Sequence, residues 1–309
     1  QIDAITYPNK ISPFGNCKIQ NITFLEGGDT FTVEEVNGMS VIYGGADKKT
    51  LIRAGQNVTS FTIPSTIEVI APNAFSGNTS LQSVDFSLAG SLREIGAYAF
   101  SGTGLTSLVL PASVQKIGKG AFSWCEDMIG ADLSGFAGEL PEQMFYYAGL
   151  QQATFGTDVT YIGAECFAYT SLETLDLSGT SVSSLGDRAF FGCSALESAS
   201  LGEITKMGDR VFAATRRSSL TEITFGDGSC DLGTNTFAGQ SSLTKLNLPD
   251  SILALTDIGE GVFRGCSAIA SLSFVPESVG DSAFENCSAL KTIDLSALKT
   301  AGNKAFKNC

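Results

Sequence analysis

The side chains of this sequence that are best suited to chemistry are eight cysteines, which can form disulfides, ligate metals or act as nucleophiles. Five of them share one position, three residues after a phenylalanine: Cys125, Cys193, Cys266, Cys287 and Cys309. Cys17, Cys166 and Cys230 lie elsewhere, and the sequence has no Cys-x-x-Cys pair. The absence of histidine excludes Ser-His-Asp triads, Cys-His pairs and histidine-ligated zinc. Catalysis by carboxylates, lysine or tyrosine stays open, and we predict neither a metal site nor a cofactor.

Aromatic residues occupy a second recurrent position, two residues after the phenylalanine. The sequence usually has glycine there, at Gly77, Gly102, Gly192, Gly239 and Gly265. Trp124, Tyr147 and Tyr169 replace it in three successive repeats, and Tyr146 precedes Tyr147. Exposed aromatic side chains are enriched in binding hot spots, so these four residues are candidates for binding a partner. The alternative is that the rings pack only on one another or fill a groove.

A third candidate is the segment 213–220, which is longer by two residues than the same part of other repeats. It places Arg216 and Arg217 side by side in an acidic protein. Insertions in repeat proteins map to loops on one face, and this is sometimes the binding face. The alternative interpretation is a solvated pair of loop charges.

These candidates are positioned by an internal repeat. Eleven anchor phenylalanines recur at intervals of 21 to 26 residues: Phe75, Phe100, Phe122, Phe145, Phe167, Phe190, Phe212, Phe237, Phe263, Phe284 and Phe306. Five residues before each anchor lies an apolar residue, and the next position is glycine in all repeats except those of Ala71 and Pro141. Such a period predicts stacked coils in which the anchors form an inner column.

A second motif, L-x-x-φ-x-φ, where φ is an apolar residue, follows most anchors, as in "LTSLVL" and "LETLDL". Its alternation predicts a short strand with one buried face, and stacked strands predict a continuous parallel sheet. The apolar pair before each glycine predicts a second brief strand on the opposite side, and the phrase around the anchor predicts a single helical or 3₁₀ turn. Side chains stacked at one turn position point in parallel, so we predict that the five cysteines are buried free thiols.

The pattern I-G-x-x-A-F-x-G-C-x-x-L-x-x-φ-x-φ resembles the leucine-rich repeat of the BspA type over about 58–309. This resemblance implies a right-handed leucine-rich-repeat solenoid, mainly β, with a parallel sheet and short helical or 3₁₀ turns. It also implies a bacterial protein that is secreted or attached to the cell surface, with a signal peptide removed or omitted. Some members of the family are implicated in adhesion to host matrix proteins or to other cells.

Both ends of the chain differ from the repeat. Residues 1–57 contain strand-like runs such as "TFTVEEV" and "MSVIY", and we expect this segment to cap the first coil. A small independent module is the competing interpretation. The other end stops at Cys309 within the last repeat, so we expect the natural chain to continue or this end to pack against another molecule.

Composition narrows the function further. The net charge of −13 disfavours nucleic acids and anionic membranes, and no apolar run reaches the ~18 residues that a membrane span needs. The exposed strand positions form a small, hydroxyl-rich and mildly acidic face, on which Asp132 and Asp176 lie too far apart to share a calcium ion. The sequence therefore predicts a non-enzymatic adhesion protein that binds a host-matrix or cell-surface protein. A glycan-binding module and a structural spacer are the alternatives, and a carboxylate-based hydrolase ranks below them.

Overall fold

Each coil of the chain contributes a strand to one or both of two parallel ladders, and a phenylalanine ring to the core. The structure is a computed structural model that describes residues 31–36, 39–45, 47–56, 58–215, 217–227, 230–247, 256–272 and 274–309. Cys17, Arg216, Pro249 and the run "IQNITFLE" lie outside the described residues. The parallel solenoid that the repeat predicted is confirmed.

The first ladder contains the strands of the L-x-x-φ-x-φ motif. They are β4 (Ser60–Thr62), β6 (Ser83–Asp85), β8 (Ser107–Val109), β10 (Gly130–Leu133), β12 (Gln152–Phe155), β14 (Thr174–Asp176), β16 (Ser198–Ser200), β18 (Glu222–Thr224) and β19 (Lys245–Asn247). They pair as β4-β6, β8-β10-β12 and β14-β16-β18-β19, so the sheet that the sequence predicted to be continuous is interrupted. Single backbone hydrogen bonds cross the interruptions, from Thr106 N–H to Gln82 C=O (3.1 Å) and from Glu173 N–H to Gln151 C=O (3.0 Å).

The second ladder contains the short strands that precede each glycine. They are β5 (Val69–Ile70), β7 (Glu94–Ile95), β9 (Lys116–Ile117), β11 (Gly138–Leu140), β13 (Val159–Ile162), β15 (Ser184–Leu185), β17 (Lys206–Met207), β20 (Asp257–Ile258), β21 (Ser278–Val279) and β22 (Thr300–Ala301). Parallel pairing runs through β5-β7-β9, β11-β13-β15-β17 and β20-β21-β22.

Proline explains the gap between β9 and β11. In a regular coil the glycine N–H donates to the preceding coil, as Gly163 does to Leu140 C=O at 2.9 Å. Pro141 occupies the glycine position of its own coil and has no N–H to donate. The rung that would join this coil to Ile117 is therefore missing.

Glycine is required at most of the other coils because the backbone of the preceding coil lies directly against it; the exceptions are Ala71 and Gly259. A Cβ placed on Gly118 would lie 2.3 Å from the backbone nitrogen of Ala97, and a Cβ on Gly163 would lie 2.6 Å from that of Glu142. Such distances are far below van der Waals contact. The recurrent glycine thus sets how closely consecutive coils stack.

The phrase around every anchor except Phe212 forms a six-residue turn, and no described residue is helical. Asn73 and Gly77, two residues before and after Phe75, have positive φ values of 60° and 75°. The N–H of Phe75 donates to Ala99 C=O on the next coil (2.7 Å), whereas that of Ser76 donates to Asn73 C=O within the turn (3.1 Å). Because alternate N–H groups point to the next coil, the turn does not become the helical or 3₁₀ turn that the sequence predicted.

The anchor rings form one unbroken column in the core. Successive centroids are separated by 4.8 Å (Phe75–Phe100) to 5.8 Å (Phe122–Phe145 and Phe212–Phe237). Every anchor from Phe75 to Phe284 is buried, and Phe306 on the last coil is half-buried. This confirms the inner column that the repeat predicted, since equivalent side chains of stacked coils must superpose.

An antiparallel meander precedes the repeats. It consists of β1 (Phe31–Val36), β2 (Met39–Gly44) and β3 (Thr50–Ala54). Strand β3 then pairs in parallel with β5, so the meander extends the second ladder by edge pairing. The buried side chain of Arg53 donates to the carbonyls of Asn73 and Ser76 in the first turn. The assignment of residues 1–57 as a capping segment stays a prediction, because residues 1–30 lie outside the described part of the chain.

Candidate partner-binding surface on the turn edge

The six-residue turns lie one above another and form one edge of the solenoid, here called the turn edge. Trp124 and Tyr147 stack on this edge with ring centroids 4.5 Å apart and planes 2° apart. Tyr147 and Tyr169 continue the stack at 4.4 Å and 20°. Tyr146 packs edge-on against all three rings, closest to Tyr147 at 4.8 Å. These four residues form a contiguous aromatic row, so the structure brings together four of the six candidates from the sequence.

Phe191 extends the row and was missed by the sequence analysis. Its ring packs edge-on against Tyr169, with centroids 5.4 Å apart. The guanidinium of Arg188 lies 5.8 Å from the Phe191 centroid and 3.3 Å from the carboxylate of Glu165. Phe191 follows its anchor by one residue, as Tyr146 does, and this shared position is the signal that could have identified it.

The row is open to solvent along its outer side. Trp124 is 46% exposed and Tyr147 is 37% exposed, whereas Tyr146 and Tyr169 are half-buried. Burial raises the pKa of the Tyr146 and Tyr169 hydroxyls, and the nearby Glu165 carboxylate raises the pKa further in both cases. The hydroxyls therefore stay protonated at neutral pH and can donate hydrogen bonds to a partner.

The backbone beneath the three stacked rings is strained. Trp124, Tyr147 and Tyr169 have φ values of 58°, 55° and 62°, in the left-handed region. Gly102 and Gly192 occupy the same position of neighbouring coils, with φ values of 67° and 71°. A bulky residue in this conformation costs on the order of 1 kcal/mol relative to glycine. Three successive coils thus carry aromatic rings where the backbone favours glycine.

The two ends of the stack differ. Tyr147 lies between Trp124 and Tyr169, so both of its faces are covered. The ring of Tyr169 leans over the next coil, because a Cβ on Gly192 would lie 2.8 Å from its Cδ1. A Cβ on Gly102, in contrast, would meet only backbone atoms of Gly77 at 3.9 Å. Apart from the chain neighbours of Gly102, no described side chain comes within 4 Å of this Cβ, so the ring position on the coil before Trp124 is unoccupied.

Arg217 of the arginine pair is not joined to the row, and Arg216 lies outside the described residues. Arg217 is exposed, and no hydrogen bond, ion pair or ring contact links it to the row among the described residues. The loop is held instead by the buried Ser218, whose hydroxyl donates to the amide oxygen of Gln240. Beyond Phe191 the turn edge has a shallow hollow of about 490 Å³ with Arg210 and Arg264 on its sides.

The cysteines of the repeat are free and, except for Cys309, buried, as predicted. Burial raises the pKa of the Cys125 and Cys193 thiols to about 11 and that of Cys287 to about 12. Burial also raises the pKa of Cys266 well above its ordinary value. Thiols in this state are neither nucleophiles nor metal ligands at neutral pH.

The acidic residues of the first ladder have a local structural role. The carboxylates of Asp85, Asp132, Asp176 and Asp294 each accept the backbone N–H of the serine two residues later, at 2.8–2.9 Å. These hydrogen bonds lower the pKa of all four carboxyl groups. Within the described ranges, no three aspartate, glutamate or cysteine side chains converge as metal ligands would.

Comparison with known proteins supports the fold. The family described as "BspA type Leucine rich repeat region" matches in six copies, over residues 53–173, 133–239 and 205–309. A leucine-rich repeat protein from Bacteroides ovatus is similar over 93% of this chain and 92% of its own, with 22% identity and a TM-score of 0.58. The pneumococcal vaccine antigen PcpA is similar over 91% of this chain and 87% of its own, with 18% identity and a TM-score of 0.50.

The search of curated proteins finds no match. In the part of the chain that the structure describes, no helix has the length and apolar character needed to cross a bilayer. The solved structures are less than 25% identical and so show the fold alone, whereas the family match covers residues 53–309 with repeats of one type. The chain is therefore a member of the BspA-type leucine-rich-repeat family.

Proposed function

We propose that this protein is a non-enzymatic binding protein of the cell surface or extracellular space, and that it holds a macromolecular partner against the aromatic row. The family supports a surface repeat protein, and one structure of similar fold is that of a pneumococcal vaccine antigen. The absence of histidine and the protonated, buried thiols leave little chemistry for covalent catalysis.

The observation that carries this proposal is the aromatic row on left-handed backbone. A structural role alone would favour glycine at these positions, as on the neighbouring coils. Strained side chains that are also exposed cluster at functional sites. Rings that are stacked in advance lose little conformational entropy when a partner covers them.

A protein of the host matrix or of a cell surface is the first candidate partner. Tyrosine and tryptophan edges combine a large apolar area with hydroxyl and indole N–H donors, as in the centres of protein interfaces. Phe191 and the cation of Arg188 enlarge this surface beyond the four residues of the row.

Capture of the purified chain by immobilised matrix proteins and cell-surface glycans tests the proposal. The double variant Trp124→Ala with Tyr147→Ala should lose capture. The matched control is Val109→Ala with Ile129→Ala, which removes exposed apolar side chains elsewhere, one of them on the first ladder. Equal capture by both variants would place the contact surface elsewhere, and no capture by the unaltered chain would favour a structural spacer.

Glycan capture is the second candidate function. The specific observation in its favour is the unoccupied ring position beside Trp124, at Gly102, since a sugar ring binds to the face of an aromatic ring and not to its edge.

A further inference from the structure

We propose that a neutral sugar ring binds to the face of Trp124 toward Gly102, as the next layer of the aromatic row. This inference rests on the proposed function only in taking the row as the contact surface. It adds a binding position, a ligand class and residues outside the row.

The row leaves room for one more layer. Its stacked rings are 4.4–4.5 Å apart, which is close to the spacing of neighbouring strands. Gly102 and Gly77 occupy the ring position on the two preceding coils and carry no side chain. Each coil advances by roughly 4.8 Å, so the two glycines leave a stretch of the turn edge about 10 Å long without side chains beside Trp124. This stretch, formed by Gly77 and Gly102, is here called the floor.

The side-chain atom found closest to this floor is polar and uncharged, although the buried guanidinium of Arg53 bonds to the carbonyl of Ser76, which precedes Gly77. A Cβ on Gly77 would meet only the amide nitrogen of Gln56, at 3.9 Å. The buried hydroxyl of Ser123 donates to the hydroxyl oxygen of the half-buried Ser101, which precedes Gly102, at 2.9 Å. Among the described residues, no charged side chain has an atom within 4 Å of a Cβ built at Gly77 or Gly102.

This combination fits a sugar better than an aromatic side chain of a partner protein. A pyranose ring has an apolar C–H face, which matches the indole face of Trp124, and hydroxyls on its rim, which match Ser101 and Gln56. An aromatic side chain would offer no hydrogen bond to the Gln56 amide or to the Ser101 hydroxyl, whereas a sugar hydroxyl can both donate and accept. The net charge of −13 disfavours an acidic sugar, so the ring is neutral.

Trp124 reports on its own site because it is the only tryptophan of the chain. We would titrate the full chain with cellotetraose, mannotetraose and chitotetraose and record tryptophan emission. The expected result is a saturable change with at least one of these probes. Trp124→Ala should abolish the heat of binding that calorimetry detects for the same probe.

The decisive variant is Gly102→Tyr. It places a ring beside Trp124 at the position that Tyr147 and Tyr169 occupy on later coils, and it keeps Trp124 as the fluorophore. It should weaken binding by about tenfold or more, since it replaces the ligand in the stack. The matched control is Gly265→Tyr, which adds a ring at the same position of a distant coil. Gly265 has a comparable φ of 77° and comparably open surroundings, so binding should be unchanged.

Three results would overturn the inference. They are the lack of an emission change with all three sugars, unchanged sugar affinity in Gly102→Tyr, and a response to N-acetylphenylalaninamide in place of the sugars. If Gly102→Tyr does not fold, protection of Trp124 from acrylamide quenching by the oligosaccharide decides the question, and its absence rejects the site.

The proposed function can survive such a failure. Capture of a protein partner that is lost in Trp124→Ala with Tyr147→Ala but kept in Gly102→Tyr would retain the row as a contact surface and reject the sugar site. Capture that none of these variants changes would reject both.

Discussion

The thiol of Cys193 donates a hydrogen bond to the carbonyl oxygen of Phe167 on the preceding coil, at 3.1 Å. The same bond recurs from Cys125 to Phe100 at 3.2 Å and from Cys287 to Phe263 at 3.0 Å. Thr103 and Thr170, at the same position of other coils, donate to the anchor carbonyl of their own turn instead. The position therefore favours a small donor inside the solenoid, which cysteine and threonine supply, although Ala148 shows that a small apolar side chain is also accommodated there.

Stability should decrease at alkaline pH because of these thiols. Burial raises the pKa of Cys193 from 9.0 to about 11, so the folded state holds its proton more tightly than the unfolded state. The resulting stabilisation is complete below pH 9 and is lost as the pH rises through 11. Urea unfolding across this range in the presence of reductant should show a smaller loss for Cys193→Thr than for the unaltered chain. Equal losses would contradict the burial of this thiol.

Replacing the glycine that contacts the preceding coil should be costly. A Cβ on Gly163 would lie 2.6 Å from the backbone nitrogen of Glu142, so Gly163→Ala should lower the free energy of unfolding by about 2–3 kcal/mol. Gly179→Ala is the control, because no atom lies within 4 Å of a Cβ there. We expect that control to change stability by less than about 0.5 kcal/mol in thermal unfolding. Similar effects of both changes would contradict the close stacking of the coils.

The loss of unfolding free energy when an anchor phenylalanine is replaced by alanine should depend on the position of that anchor in the column. Phe167 lies between Phe145 (5.2 Å) and Phe190 (5.3 Å), so Phe167→Ala should cost about 3–5 kcal/mol. Among the described residues Phe306 stacks on Phe284 alone and is half-buried, so Phe306→Ala should cost clearly less. Urea denaturation of the two variants measures the difference. An equal or reversed order would mean that the column is not the core.

Changing an exposed ring to glycine separates function from stability. Tyr147→Gly loses about 0.5–1.5 kcal/mol of ring contact and gains about 1 kcal/mol from relief of the left-handed backbone. The melting temperature should therefore change little, while capture of the partner falls. Differential scanning calorimetry together with the capture assay checks both effects. A loss of stability above about 3 kcal/mol would show that the ring is structural.

Replacing Asn78 should increase the stability of the protein. It is buried, its amide oxygen has no hydrogen-bond partner among the described residues, and its amide nitrogen reaches Gly55 C=O only at 3.4 Å. Thr103, at the same position of the next coil, donates to Phe100 C=O at 2.8 Å. Asn78→Thr should make the same bond to Phe75 and raise the free energy of unfolding by about 1 kcal/mol. A lower melting temperature would contradict this account.

The sequence by itself determined the architecture. The anchor phenylalanines, the glycine four residues before most anchors and the two strand positions follow from a period, and stacked coils must superpose residues of one period. The burial and free state of the five repeat cysteines followed from the same reasoning, apart from the exposure of Cys309 at the chain end. Even the break at Pro141 could be anticipated, because proline has no N–H to donate.

Only the tertiary structure decided which aromatic rings are exposed on the turn edge and how they stack. A repeat places Trp124, Tyr147 and Tyr169 on one edge but does not give the direction in which each ring leans. The lean covers both faces of Tyr147, brings Tyr169 over Gly192 and leaves the ring position before Trp124 unoccupied. Ring orientation depends on contacts between neighbouring coils, which are specific to these residues and absent from the period. The left-handed backbone of the turn is likewise set by hydrogen bonds to the next coil, and these bonds replaced the helical turn that local sequence had favoured.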